Sequence, residues 1–227
     1  MLTPAEWEIV ALSLRVALMA AVASLPLAVA AGWLLARRRF PGKAVLDALI
    51  HLPLVLPPVV VGYLLLVALG SQGTIGRMLG TVGIEFAFRW TGAALASAIM
   101  GFPLMVRAIR LSIEQVDRRL EQAAATLGAS PWRVFRTITL PLAWPGVVAG
   151  AVLGFAKALG EFGATITFVS AIPGETLTIA SAVYGLMQVP GGEAAIWRLA
   201  AVSLALSFGA LLLSDWLVRR QRGDVAE

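Results

Sequence analysis

Five long apolar stretches constrain the fold of this chain more than any other feature of its sequence. They cover approximately residues 9–36, 44–69, 91–111, 144–169 and 194–218. Each has at least ~20 residues, which as an α-helix span ~30 Å, about the thickness of the hydrocarbon core of a bilayer. We therefore predict an all-α, polytopic membrane protein of about five transmembrane helices, with residues 1–227 forming a single transmembrane domain.

The overall composition agrees with a membrane protein and excludes several kinds of site. Hydrophobic residues make up 59% of the chain and charged residues 14%, against about 45–50% and about 25% in soluble domains. The chain has no cysteine and a single histidine, His51, so disulfides are excluded and a histidine metal cluster or triad is not expected. We expect neither a metal site nor a catalytic residue.

The distribution of basic residues predicts the orientation of the chain. Most of its 18 lysines and arginines fall in the loops after the first and third stretches and after the fifth. Because cytoplasmic loops are enriched in basic residues, we expect these loops in the cytoplasm, the N-terminus outside and the C-terminus inside. The net charge of +5 therefore reflects the orientation of a membrane protein and does not indicate nucleic acid as a partner. The partner that this distribution of charge implies is the lipid bilayer.

Two features predict departures from straight spans. The second stretch contains Pro53, Pro57 and Pro58, and since proline lacks a backbone donor and clashes with the preceding turn, this helix should be kinked or locally unwound. Pro57 and Pro58 have two possible roles. They form a bend that shapes a pore or serves as a hinge, or they form a static kink used for packing. Residues 176–189 are apolar but too few to span a bilayer, so they predict a short helix at the external membrane edge or a re-entrant one.

Two ionisable residues lie deep in the fourth stretch. Lys157 and Glu161 are four residues apart, so on one helix they share a face and can pair. Charges at this depth usually face the bundle interior or a water-filled cavity. Lys157 either offers a positive field to a passing oxyanion or forms a buried ion pair that sets helix register at a dimer interface. We favour the ion pair, because pairing largely neutralises the lysine.

Four further residues are candidates for a gate. Thr165 and Thr167 follow small residues near the outer end of the fourth stretch, where their hydroxyls can bond to other helices or to an oxyanion. Phe102 and Met105 in the third stretch are candidates for an apolar constriction, and a packing or lipid-facing role fits them equally well.

The longest polar segment, residues 114–141, falls on the predicted cytoplasmic side. It predicts two short amphipathic helices, 116–127 and 131–138, with Gly128 ending the first and Pro131 opening the second. The second helix combines apolar positions with arginines on its rim, which suits docking in a groove of another protein. A helix lying flat in the headgroup layer is the alternative.

Part of this segment resembles a known signature. Glu121-Gln-Ala-Ala-Ala-Thr-Leu-Gly128 and then Ile138-Thr-Leu-Pro141 are similar to the E-A-A-x3-G-x9-I-x-L-P pattern of ABC importer permeases, except that Gln122 stands where the pattern has its glutamate. The resemblance implies a cytoplasmic coupling helix that docks in a cleft of an ATPase subunit. The residues to which it assigns this role are Glu121, Gln122, Ala123, Gly128, Pro131, Arg133, Phe135, Arg136, Ile138 and Pro141.

Other parts of the chain resemble the molybdate permease family, to which sulfate and tungstate permeases are close. The similar segments are 40–43, 51–58, 62–63, 102–107 and 160–167. The resemblance implies a type I ABC importer permease in the cytoplasmic (inner) membrane, as a homodimer with its pore at the subunit interface. It also implies two ATP-binding subunits on the cytoplasmic side and a periplasmic or extracellular molybdate-binding protein.

The chain contains no G-x-x-x-x-G-K-[ST] phosphate-binding loop. We therefore predict that it is not itself an enzyme and binds no cofactor, and that ATP and Mg are bound by the partner subunit. Sulfate or tungstate is the alternative cargo. A secondary transporter, which should show inverted repeats, and an intramembrane enzyme, which needs paired acids or histidines in one cavity, are more distant alternatives.

Overall fold

The computed structural model describes residues 2–223, and every regular element in that range is helical. The elements are α1 (Pro4–Arg37), α2 (Lys43–Val55), α3 (Pro58–Leu69), α4 (Thr74–Gly80), α5 (Trp90–Gln115), α6 (Arg118–Thr126), α7 (Pro131–Val134), a π-helix (Phe135–Thr139), α8 (Leu140–Leu159), α9 (Gly163–Val169), α10 (Ile179–Leu186) and α11 (Glu193–Gly223). The predicted cytoplasmic C-terminus, residues 224–227, lies outside the described residues, as do the side chains of Arg219, Arg220 and Arg222.

Four of the described helices are long and apolar enough to cross a membrane. They are α1, α5, the continuous helix Pro131–Leu159 and the part of α11 from Glu193 to Leu213. The α2–α3 pair passes the same test only as a bent pair, which raises the number of spans to as many as five. This helical membrane architecture confirms the predicted fold class.

The second apolar stretch is not one continuous helix. It is broken between α2 and α3, whose axes are bent by 111°, because Pro57 and Pro58 lack the N–H groups that would continue the α2 ladder. Leu56 and Pro57, which each precede a proline, both have extended backbone angles, as this position favours. The predicted kink is therefore a complete break.

The fourth stretch also differs from its predicted bounds. Its helix begins at Pro131 rather than near residue 144, so the predicted separate helix 131–138 is instead the first part of this long helix. The π-helix lies between α7 and α8, and the Leu140 N–H at its end donates to the Phe135 carbonyl. The wider turn directly before Pro141 relieves the clash that a proline ring makes with the carbonyl four residues earlier.

The same stretch is interrupted a second time, near its end. The helix stops at Leu159, and three residues, Gly160 to Phe162, separate it from α9. The predicted continuous span to residue 169 was therefore wrong, and Glu161 lies in the interruption rather than on the face of one helix.

Glycines bring the central helices α1, α5 and α8 close together. A methyl group added to Gly101 of α5 would lie 3.2 Å from the carbonyl oxygen of Gly154 on α8, and one added to Gly32 of α1 would lie 3.0 Å from Ile109. Such small residues allow membrane helices to approach closely. Helices α1, α5 and α8 are therefore closely packed on one another.

The predicted short helix is α10, which is shorter than the 176–189 interval. It begins with a cap in which the Thr178 N–H donates to Ser181 Oγ at 2.9 Å. Its apolar side joins a buried cluster with Val10 of α1 and Leu199 of α11. One further short helix, α4, was not predicted.

Candidate functional site

Glu121 fastens the segment between α5 and α8 to the end of α1. Its Oε1 accepts a hydrogen bond from Arg37 Nε at 3.0 Å and another from Thr139 Oγ1 at 2.5 Å. Arg37 also donates from Nη2 to the Val116 carbonyl at 2.9 Å. The side chains of Arg37 and Glu121 are only 8% and 17% exposed. Charge-assisted bonds of this kind are the stronger ones in proteins, so α1, α6 and the π-helix are joined at one point.

A second arginine strengthens this connection. Arg118, the first residue of α6, donates from Nη2 to the Ala36 carbonyl at 3.3 Å. The last carbonyls of a helix lack intrahelical partners and carry partial negative charge, so a cation there caps the end of α1. Two independent contacts therefore link α6 to α1.

The turn between α6 and α7 presents apolar side chains to the surroundings. Leu127 is 89% exposed and Trp132 is 68% exposed. Gly128 lies between them with a φ of +83°, a left-handed conformation that glycine adopts without strain and that ends α6. Ser130 Oγ accepts from the Arg133 N–H at 3.4 Å and starts the next helix. Large exposed apolar side chains on an ordered turn are typical of a surface that contacts another protein or the membrane.

The structure divides the ten coupling candidates between this surface and the interior. Those that are exposed are Gln122, Ala123, Gly128, Pro131, Arg133, Arg136 and Pro141, whereas Glu121, Phe135 and Ile138 are partly buried. Phe135 packs with its ring centroid 5.8 Å from Trp33 of α1 and 5.5 Å from Trp132. Phe135 is therefore engaged within the chain and is not a free docking side chain.

Sequence reasoning missed the two most prominent side chains of this surface, Leu127 and Trp132. A signal was present, because each is a large apolar residue beside a helix-breaking Gly128 or Pro131 in an otherwise polar segment.

Lys157 and Glu161 do pair, although a helix end separates them. Lys157 Nζ lies 2.5 Å from Glu161 Oε2, and the Glu161 side chain is 1% exposed while that of Lys157 is 30% exposed. The other carboxylate oxygen of Glu161 accepts from the Ala164 N–H at 3.1 Å. Glu161 thus caps the start of α9 and ties it to the end of α8, so the ion pair bridges the interruption.

The two helices that follow breaks, α3 and α9, pack against each other. Gly62 of α3 faces Ala164 and Thr167 of α9, and a methyl group on Gly62 would lie 2.9 Å from Thr167 Cβ. One on Gly163 would lie 2.7 Å from Cβ of Pro58. This pair of helices is called the α3–α9 unit below. Each of its members joins the preceding helix through a non-helical segment, which is the arrangement that a hinged element requires.

The threonines proposed for a gate bond to their own helix. Thr165 Oγ1 donates to the Phe162 carbonyl at 2.9 Å, and Thr167 Oγ1 donates to the Gly163 carbonyl at 2.8 Å. Thr165 is buried, whereas Pro57 and Pro58 at the other break are exposed. In this arrangement the hydroxyls stabilise α9.

The two residues proposed for a constriction lie apart from these threonines. Met105 is 1% exposed and packs where Gly154 leaves room, which favours the packing interpretation of this residue. Phe102 is partly exposed and borders a pocket with Leu27 and Ile50 between α1, α2 and α5. The recorded contacts join Glu161 to Lys157 and Thr165. Pro58 and Thr167 belong to the contacts between α3 and α9.

The whole sequence places the chain among known transport proteins. It matches the model of the family "Binding-protein-dependent transport system inner membrane component" over residues 24–223. The chain belongs to this family. As a member of it with several membrane-spanning helices, the chain is a multi-pass protein of the inner membrane.

Individual relatives of this transport family are similar over nearly their full length. The chain is 62% identical over 222 residues to the molybdenum transport system permease protein ModB of Escherichia coli (strain K12), covering 97% of each. It is 58% identical to ModB of Haemophilus influenzae, covering 98% of this chain and all of that one. A chain of a bacterial ABC transporter for alginate import has the same fold, with a TM-score of 0.73 at 17% identity, covering 96% of this chain and 80% of that chain.

Proposed function

We propose that this chain is the membrane-spanning permease subunit of an ATP-driven ABC importer that carries molybdate into the cell. The observation that carries this proposal is the 62% identity with a molybdenum transport permease over 97% of both chains. Identity of that extent leaves no domain of either protein unmatched. The turn after α6 is exposed and is anchored to α1, as a permease needs if movement of its ATPase subunit is to reach the membrane helices.

ATP hydrolysis belongs to a separate subunit in this proposal. The partner would contact the exposed surface around Leu127 and Trp132, and closure of its ATP-bound dimer would move that surface. Motion would then pass through the bonds of Glu121 to Arg37 and Thr139 into α1 and the Pro131–Leu159 helix. Because the chain contains no G-x-x-x-x-G-K-[ST] loop, ATP and Mg would be bound on the partner.

The orientation in this proposal follows from the basic residues. The turn after α6, with Arg133 and Arg136 exposed beside it, would face the cytoplasm, and the first residues of α1 would lie outside. An external molybdate-binding protein would then deliver its anion to the opposite end, where α4 and α10 lie.

A second copy of the chain would complete the pathway. Much of the surface of α2 and α3 is apolar and exposed in a single copy, as at Val55 (81%) and Tyr63 (58%). Lipid and a second copy are the partners available to such a surface in a membrane. A homodimer with the pore at its interface would place the α3–α9 unit of each copy beside the pathway, where Pro57, Pro58, Thr165 and Thr167 would belong to the gate.

Lys157 has a double part in the proposal. Its pairing with Glu161 supports the structural role that we favour, since the ion pair holds α8 to α9 across the interruption. Its side chain is nevertheless 30% exposed, so a positive field toward a passing oxyanion is the second interpretation.

Uptake by a reconstituted complex tests the proposal. The permease, its ATPase subunit and the external binding protein are assembled in liposomes, and radiolabelled molybdate uptake is measured with and without ATP. ATP-dependent uptake that excess sulfate does not reduce is expected. Stronger competition by sulfate or tungstate would reassign the cargo, and uptake without the ATPase subunit would indicate a secondary transporter instead.

A further inference from the structure

A deep apolar groove opens on the side of the molecule between α1 and the start of the Pro131–Leu159 helix. Its volume is about 660 Å³, within the ~300–1,000 Å³ that binding pockets usually have. Three tryptophans and a phenylalanine line it together with aliphatic residues. The main lining residues are Leu25, Val29, Trp33, Trp132, Phe135 and Trp144.

The groove begins at the level of the lipid headgroups. Trp33 lies one helical turn before Arg37, whose side chain is bonded to the polar segment outside the bilayer. From Trp33 to Leu25 the groove extends about 12 Å along α1 at ~1.5 Å per residue, most of one leaflet of a ~30 Å hydrocarbon core. Tryptophans concentrate at this interface in membrane proteins.

The mouth of the groove is basic. A smaller pocket of about 320 Å³ adjoins it, sharing Trp33 and Phe135 and adding Arg38 and Arg118. The Arg38 guanidinium carbon lies 5.3 Å from the Trp33 ring centroid. Arg37 is paired with Glu121, but Arg38 has no carboxylate partner among the residues that the structure describes.

We propose that this groove binds an anionic phospholipid, with an acyl chain along the apolar wall and the phosphate at Arg38 and Arg118. A basic mouth in line with an apolar channel matches a charged headgroup followed by a hydrocarbon chain, and basic pockets between membrane helices recognise anionic headgroups. A helix of a second copy would fill the apolar part but would leave the cation without its counter-ion. In the proposed orientation this groove lies in the cytoplasmic leaflet. That placement rests on the proposed function, whereas lipid binding itself does not.

The groove has a mechanical consequence. Trp132 and Phe135 belong both to its wall and to the segment that we propose to couple ATP hydrolysis to transport. A bound lipid would brace this segment against α1. Stimulated ATPase activity should therefore depend on anionic lipid, while lipid binding should persist in the permease without its ATPase partner.

Native mass spectrometry of the purified permease, with and without the ATPase subunit, tests lipid binding directly. The probe is phosphatidylglycerol added in detergent, with phosphatidylcholine of the same chain length as the neutral comparison. We expect retained phosphatidylglycerol to fall about fivefold in Arg38→Gln, the share of one basic residue in attraction to an anionic surface. The neighbouring exposed Arg39→Gln should retain it as the wild type does. Equal retention of the two lipids by the wild type, or equal loss in both variants, would overturn the proposal.

Two substitutions of Ala30, which lines the groove, distinguish lipid from protein as the occupant. Ala30→Trp should fill the groove and lower retained phosphatidylglycerol to the level of Arg38→Gln. Because the chain has no cysteine, Ala30→Cys provides a unique thiol, and no disulfide between copies should form on oxidation. Efficient cross-linking of two copies through this residue would show that a second chain covers the groove and would refute lipid binding there.

Discussion

Removal of the Glu121 carboxylate should uncouple the exposed turn from α1. In Glu121→Ala, Thr139 loses its acceptor and the Arg37 guanidinium keeps only the Val116 carbonyl. Breaking a fully buried pair costs about 3–5 kcal/mol, and an exposed pair contributes about 0.2–1 kcal/mol. Since Arg37 and Glu121 are 8% and 17% exposed, we expect an intermediate loss, about 2 kcal/mol.

Glu114→Ala is the matched control. Glu114 also pairs with an arginine at the same end of the molecule, with Arg110 Nε 2.8 Å from its Oε1. The Glu114 side chain is 40% exposed, however, and Arg110 keeps a second partner in Asp47 at 3.0 Å. Loss of this surface pair should cost about 0.5 kcal/mol.

The assay is cargo-stimulated ATPase activity of the complete complex in liposomes. When the whole 2 kcal/mol is lost from the state in which the ATPase and the permease are coupled, cargo stimulation should drop about 30-fold in Glu121→Ala, since every 1.4 kcal/mol is a factor of ten. The control should lose less than about threefold on the same scale. Membrane insertion and the melting temperature of the permease are measured alongside to show that both variants fold. Equal stimulation in the two variants would refute the argument that Glu121 transmits the coupling.

Three further predictions concern the proposed ATPase-docking surface around Leu127 and Trp132 and the α3–α9 unit. Leu127→Glu should abolish copurification of the ATPase subunit, because it places a charge at the most exposed apolar side chain of the turn; full recovery of the complex would remove Leu127 from the interface. Gly62→Leu should lower the melting temperature and block uptake, since its side chain would collide with α9, whereas Gly80→Ala, which has open space around it, should change neither. Lys157→Met should destabilise the permease by about 2 kcal/mol, because Glu161 is buried while the Lys157 side chain is 30% exposed, and adding Glu161→Gln should restore stability. Uptake that remains lost in the stable double variant would show that Lys157 acts on the anion instead.

The features that were predicted correctly from the sequence are those that depend on neighbouring residues in the chain. Apolar stretches of bilayer length predict membrane helices because an unpaired backbone group in lipid is costly wherever it occurs. Pro57 and Pro58 predict a kink or local unwinding because a missing N–H acts within one turn, and the structure shows a break there. The spacing of Ala123, Gly128 and Pro141 identified the permease family, which the comparisons confirm.

Orientations of single side chains could not be predicted in the same way. Phe135 and Leu127 both read as apolar residues of an amphipathic segment, yet Phe135 packs on Trp33 while Leu127 is exposed. The difference arises because the segment from Pro131 continues directly into a membrane helix beside α1. The pattern of apolar residues in this segment contains no information on Trp33, which lies about a hundred residues earlier in the chain.

Sequence alone therefore determined that this is a helical membrane protein of a transport family, and it predicted that the second span is irregular. Tertiary structure decided that Arg37 meets Glu121, that Phe135 packs on Trp33, and that α3 and α9 pack as a unit. The physical reason is range. Hydropathy and proline act on a few neighbouring residues, whereas these contacts join groups brought together only when distant helices pack.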